Sequence, residues 1–236
     1  MRAIFESIFD IVYLITVIVI GIFMIVKGRK NKQYLLFGIM AVVLGGGDSF
    51  HLIPRVISLI SGNAEAYLVP LGIGKAITSI TMTGFYIILY YIYRIRYNVK
   101  GEKYVHISLY VLSLIRIILC LLPQNEWTSA NPPLWIGIVR NIPFLFIGII
   151  IIVLFFIKAR QNNDKNFKFM YLTIVLSFGF YIPVVVAGHL NSMIGLLMIP
   201  KTMAYVLTVV IGLVDMIKSM KAEKQIETNT ADVAAN

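Results

Sequence analysis

The chain has 236 residues, of which 59% are hydrophobic and only 14% charged, with a formal net charge of +10. A soluble domain is about one quarter charged, so this chain lacks the polar surface that a soluble fold needs. The single cysteine, Cys120, excludes an intrachain disulfide and any CxxC metal or redox motif, and the basic residues build no contiguous face with aromatic platforms, which excludes nucleic-acid binding.

Taken in chain order, the apolar runs predict an all-α, polytopic bundle of seven transmembrane helices. They cover Phe5–Val26, Tyr34–Ile53 with a continuation toward Ile60, Leu68–Tyr93, Tyr104–Leu122, Leu134–Ile157, Phe169–Leu190 and Ile199–Ile217. Each approaches the roughly 20 residues that carry a helix across hydrocarbon. Lipid satisfies no backbone hydrogen bond, so runs of this length read as helices despite their many β-branched residues. The ten-residue alternation of barrel strands is absent. Residues 1–221 form one domain, and the polar stretch 222–236, poor in large apolar residues, reads as a disordered tail.

The linkers alternate in character. Lys27–Lys32, Arg94–Lys103, Lys158–Lys168 and the exit at Lys218, Lys221 and Lys224 are basic, whereas Ser61–Tyr67, Pro123–Pro133 and Asn191–Met198 contain no Lys or Arg. By the positive-inside rule the N-terminus is outside and the C-terminus cytoplasmic. The first run carries Glu6 and Asp10 and has its positive charge after it, so it reads as a signal anchor and not a cleaved leader. With no disulfides, the chain reads as a multi-pass protein of a bacterial plasma membrane, with membrane lipids as partners.

An ionisable residue at the centre of a span costs about 2.5–3.5 kcal/mol or more, so each one needs a reason. At 1.5 Å per residue, nearly all fall in the outer half: Glu6, Asp10, Asp48, His51, Arg55, Lys75, Arg116, Arg140 and Lys201, with His189 at the outer end of the sixth span. Asp48, His51 and Arg55 stand at i, i+3 and i+7 and share one helix face. Gly45-Gly46-Gly47 before them reads as close backbone approach, a break or exposed backbone, and Pro54 as a kink. The seventh span adds a stripe of Lys201, Tyr205, Thr208, Gly212 and Asp215; Asn141 follows Arg140, and Tyr181 lies mid-sixth. Lys201 is shallow enough to snorkel to water, and Arg94 and Arg96 read as an interfacial anchor. The candidate ligand-binding residues are therefore Asp48, His51, Arg55, Lys75, Arg116, Arg140, Asn141, Tyr181, Lys201 and Tyr205. Five bases against Glu6, Asp10 and Asp48 leave a surplus of positive charge, which favours an anionic ligand such as a carboxylate, phosphate or lipid headgroup.

Three functional classes fit this pattern. The first is a binding or transport module holding an anionic or amphiphilic small molecule in an outward-facing pocket. The second is an intramembrane lipid hydrolase. The seven-span, N-out layout resembles the alkaline ceramidase and adiponectin-receptor superfamily, with Asp48, Ser49 and His51 of suitable types, and that resemblance implies lipid hydrolysis with zinc. The superfamily has a His-x-x-x-His pair in its last span; here that span has no histidine, leaving His51, His189 and Asp48 as a thin ligand set. Adjacent helix positions point about 100° apart, so Asp48, Ser49 and His51 form no triad among themselves. No catalytic residue, metal site or cofactor is specified. The third class is a non-catalytic scaffold, which predicts outer charges paired among themselves with no cavity.

Overall fold

The computed structural model describes residues 2–191 and 193–234, with side chains from within 3–230. It is helical: α1 (Arg2–Gly28), α2 (Lys32–Ser61), α3 (Leu68–Arg96), α4 (Lys103–Leu121), α5 (Leu134–Gln161), α6 (Met170–Ala187) and α7 (Met198–Ala234), with short 3-10 turns at Glu65–Tyr67, Pro123–Asn125 and Ile194–Leu197. Seven of these helical segments are long and apolar enough to cross a membrane. Consecutive helices pack side by side, α7 returns to α1 and α2, and α3 reaches across to α5. Here the end of the bundle where α1 begins is called the N-terminal end, and the end from which α7 emerges the C-terminal end.

The outside of the bundle is as apolar as its inside. Ile4, Ile8, Val12, Ile15, Val19 and Phe23 run exposed along α1, while Tyr13, Val17 and Met24 on its other face are buried. The interior is filled largely by aromatic rings, among them Phe37, Phe85, Tyr86, Tyr90, Tyr93, Phe155 and Phe167. Basic residues that the sequence assigns to linkers sit instead in last helical turns: Lys27 in α1, Arg94 and Arg96 in α3, Lys158 and Arg160 in α5. There they face the partial negative charge of the free carbonyls.

The glycine triplet does not break α2. A Cβ on Gly45 would come within 2.7 Å of Ile18 in α1, and one on Gly47 would overlap the Thr81 hydroxyl of α3, whereas Gly46 has open space. The triplet lets α2 lie close against both neighbours at once. Pro54 lacks the N–H that would bond the Phe50 carbonyl, and that oxygen lies against Gly74 of α3, where any Cβ would overlap it. The third helix thus closes on the site where the ladder is interrupted, and α2 continues to Ser61.

Two boundaries differ from expectation. α6 ends at Ala187, short of Leu190, as the chain turns at residues 188–190. The segment from Ala222, expected to be a disordered tail, continues α7 as helix to Ala234 and is exposed as far as Thr230. Its Ala, Glu, Lys and Gln are good helix formers, and they extend a helix already nucleated by packing, so no nucleation cost arises.

Gly47→Ala is expected to destabilise the protein by about 1–3 kcal/mol through overpacking against Thr81. Gly46→Ala, one residue away, is expected to stay within about 1 kcal/mol of wild type or to stabilise it. Thermal unfolding of both variants in the same detergent checks the contrast.

Candidate functional site

Asp48, His51 and Arg55 share one face of α2, as their spacing requires. All three line a cavity of about 60 Å³ at the N-terminal end, together with Glu6 and Asp10 of α1, Thr78 of α3 and Lys201 of α7. Arg55 Nη2 donates to Glu6 Oε2 at 2.6 Å, and its Nε stands 3.8 Å from Asp10 Oδ2. Asp48 Oδ2 accepts from the Tyr13 hydroxyl at 2.6 Å. His51 Nδ1 lies 3.3 Å from the Leu71 carbonyl, which selects the tautomer with the proton on Nδ1. Thr78 Oγ1 donates to the Gly47 carbonyl at 3.1 Å.

Lys201 is treated differently. Its side chain is 8% exposed, so it is buried and does not snorkel. Among the described residues no carboxylate comes within 4 Å of its ammonium. Nζ instead lies 4.8 Å from the Tyr181 ring centre and 5.1 Å from that of Tyr205, where the ring faces offer a cation–π attraction.

The other predicted residues do not join this cavity. Arg116 of α4 is 1% exposed; its guanidinium lies 3.5 Å from the Phe144 ring centre, with Nη1 3.2 Å from Asn141 Oδ1 and Nε 3.4 Å from the Ser79 carbonyl. Tyr181 donates to the same Asn141 oxygen at 2.9 Å. Arg140 Nη1 donates to Asn125 Oδ1 at 2.6 Å, and its guanidinium covers Trp127 at 4.0 Å. Lys75 is exposed on α3 and makes no ion pair among the described residues. The single expected pocket is thus two sites, a cavity between α1, α2 and α7 and a cationic cluster around α4, α5 and α6. The expected surplus of bases is absent from the cavity, where Arg55 and Lys201 face three carboxylates. Depth along each helix is readable from sequence; the direction in which each side chain points around the bundle is not.

Charge pairing and a cavity coexist here. The zinc set is not assembled. Among the described residues no three His, Cys, Asp or Glu come close enough to hold a metal ion, and His189 is exposed beyond the end of α6. Tyr13, Asn125 and Trp127 were not legible as participants. Tyr13 stands one turn after Asp10 in an apolar run, a weak signal that periodicity alone could have raised.

The C-terminal end holds a network that the sequence reading overlooks. Arg96 grips Asp164, of the loop between α5 and α6, with Nε and Nη2 at 2.8 and 3.0 Å, and reaches Asp215 of α7 with Nη1 at 2.8 Å. Asp215 also accepts from Gln33, Tyr34 and Asn166 at 3.1, 3.1 and 2.6 Å. Arg96 is therefore a hub joining α2, α3, α7 and the α5–α6 loop, and not an interfacial anchor. Burial works to raise the Asp164 carboxyl, but the Arg96 hydrogen bonds and the Phe167 and Asn166 amides outweigh it and hold the group below the usual carboxylate range. Burial, followed by the neighbouring Asp164 charge, pushes the Tyr97 hydroxyl up.

No protein-family model matches the chain, and neither a curated protein nor a solved structure does.

Because the folded Asp164 carboxyl is depressed, its stabilisation is complete above the unfolded value of about 3.9 and is lost as pH falls through the lower folded value. Asp164→Ala is expected to cost about 3 kcal/mol at neutral pH, since it removes both bonds of a bidentate pair and leaves the half-buried guanidinium with Asp215 alone. The deficit should shrink below about pH 4, which a pH series of unfolding midpoints for both proteins would show.

Proposed function

We propose that this is a multi-pass plasma-membrane protein, N-terminus outside and C-terminus cytoplasmic, that binds a small zwitterionic molecule in the α1–α2–α7 cavity. The orientation rests on the Lys- and Arg-free loops at the N-terminal end and the basic helix ends opposite. The ligand class rests on one observation: Lys201 and Asp48 line the same cavity without closing an ion pair within 4 Å. Opposite charges 4 Å apart attract by about 4 kcal/mol at an effective dielectric of 20, yet the helices hold these two further apart than that. A ligand with an acidic group toward Lys201 and a basic group toward Asp48 or Asp10 would complete both.

The cavity of about 60 Å³ is about twice the ~30 Å³ share of one water. It suits a charged headgroup and leaves any apolar remainder outside. An amphiphile with its head in the cavity and its chain in the bilayer fits this as well as a free amino acid does. Binding, sensing and transport all begin with such a site.

Native mass spectrometry of the purified protein with phosphatidylethanolamine, and separately with glycine, tests the reading. One of the two should bind wild type. Lys201→Met and Asp48→Asn, each losing one charge-assisted contact worth about 1.5–3 kcal/mol, should weaken it by tenfold or more while remaining folded. Absence of both adducts from folded wild type, or unchanged binding in both variants, would overturn it.

A further inference from the structure

Three cations remain outside that cavity. Lys75 lies within electrostatic reach of Arg55 at the cavity and of Arg140, and Arg140 within reach of Arg116; no carboxylate of a described residue comes within 4 Å of Lys75, Arg116 or Arg140. Glu126, the acid nearest in sequence to this cluster, is exposed and stands in the left-handed backbone region at φ 44°.

The way the chain folds around these cations brings them to one face. A Cβ on Gly72 of α3 would overlap the Trp127 carbonyl, so the α4–α5 loop lies directly on α3 at that point. Lys75 is one helical turn further along the same side of α3. The loop is fixed from the other side by Trp127 Nε1, which donates to the Cys120 carbonyl at 3.0 Å, and by Asn125 Nδ2, which donates to Leu119 and Leu122 at 2.7 and 2.8 Å. These bonds occupy the Leu119, Cys120 and Leu122 carbonyls at the end of α4. The guanidinium of Arg140 is left on the Trp127 ring, with only Nη1 engaged by a described acceptor.

Cations in an apolar bundle carry a heavy desolvation cost unless an anion is nearby. Arg116 is met by neutral acceptors and the Phe144 ring alone. Guanidinium forks match phosphate oxygens in pairs, and an exposed lysine beside them suits a site open at the bundle surface. We propose that Lys75 and Arg140, backed by buried Arg116, form a phosphate-binding site between α3 and the α4–α5 loop, separate from the α1–α2–α7 cavity. The phosphate belongs to an anionic lipid headgroup or is free in solution; the chemistry of the site is the same.

Native mass spectrometry tests this with phosphatidylglycerol in one arm and inorganic phosphate in the other, on wild type, Arg140→Gln, Lys75→Gln and Lys201→Met. Wild type should bind at least one probe. Arg140→Gln should raise the apparent Kd at least about tenfold, the loss expected for a charge-assisted contact. Lys75→Gln, whose exposed side chain makes folding safe, should raise it by about threefold, and Lys201→Met should leave it unchanged. Binding of phosphatidylglycerol alone assigns the site to lipid, and binding of phosphate alone assigns it to a soluble anion. Failure of wild type to bind either probe would overturn the site, as would wild-type affinity in both Arg140→Gln and Lys75→Gln. Should Arg140→Gln prove unfolded, the Lys75→Gln result decides alone. Loss of binding in Lys201→Met with none in Lys75→Gln would place the anion in the cavity and leave only the reading of that cavity standing.

Discussion

A charge enclosed by apolar helices must be answered from within the bundle, because lipid offers neither hydrogen bonds nor counterions. The two ends of this protein answer that demand differently. At the C-terminal end Asp164 and Asp215 share Arg96, and both carboxylate oxygens of Asp215 accept from side chains of α2, α3 or the α5–α6 loop. Such a network tolerates no vacancy, since removing one member leaves the rest buried and unpaired. It ties helix ends together and has nothing left to offer a ligand. At the N-terminal end the same kinds of groups are present, but Lys201 and Arg116 meet aromatic faces and neutral oxygens. Among the described residues, cations without a carboxylate within 4 Å inside the bundle are thus found at the N-terminal end.

What keeps the opposite charges apart is backbone packing. With Gly45 against α1 and Gly47 and the Phe50 carbonyl against α3, α2 has no freedom to carry Asp48 toward Lys201. On the far side Gly212 of α7 meets the Phe37 ring, where a Cβ would come within 2.5 Å, so α7 is seated against α2 by an equally close contact. Interiors packed this closely transmit strain and do not absorb it. A gap between charges is then a property of the fold, and it persists until something fills it.

Much of this was legible in the sequence, and the division between what was and was not follows a physical line. Hydropathy fixes which residues lie in each span, and helical periodicity fixes which share a face, so Asp48, His51 and Arg55 fall together as their spacing requires. Depth follows from rise per residue. Rotation about each helix axis relative to its neighbours does not, because it depends on contacts such as Gly72 with the Trp127 carbonyl that join distant parts of the chain. Sequence spacing therefore gives Arg116 and Arg140 a position along their helices and not the neighbours they meet, Phe144 and Asn141 for one and Trp127 and Asn125 for the other. Arg96 was misread for the same reason: its position at a helix end fits an anchor, and only the approach of Asp164 and Asp215 makes it a hub.

The two sites at the N-terminal end are not independent in their supports. Asn141 Oδ1 receives both Arg116 Nη1 and the Tyr181 hydroxyl, while Asn141 Nδ2 is held by the Gly137 carbonyl at 2.7 Å. Its acceptor lone pairs are filled and its orientation is fixed. Tyr181, held by that bond, presents its ring face to Lys201. One amide therefore sets the position of the guanidinium behind one site and of the ring beneath the ammonium in the other. Because no carboxylate of a described residue comes within 4 Å of either cation, the geometry of both depends on this neutral group more than on any described ion pair.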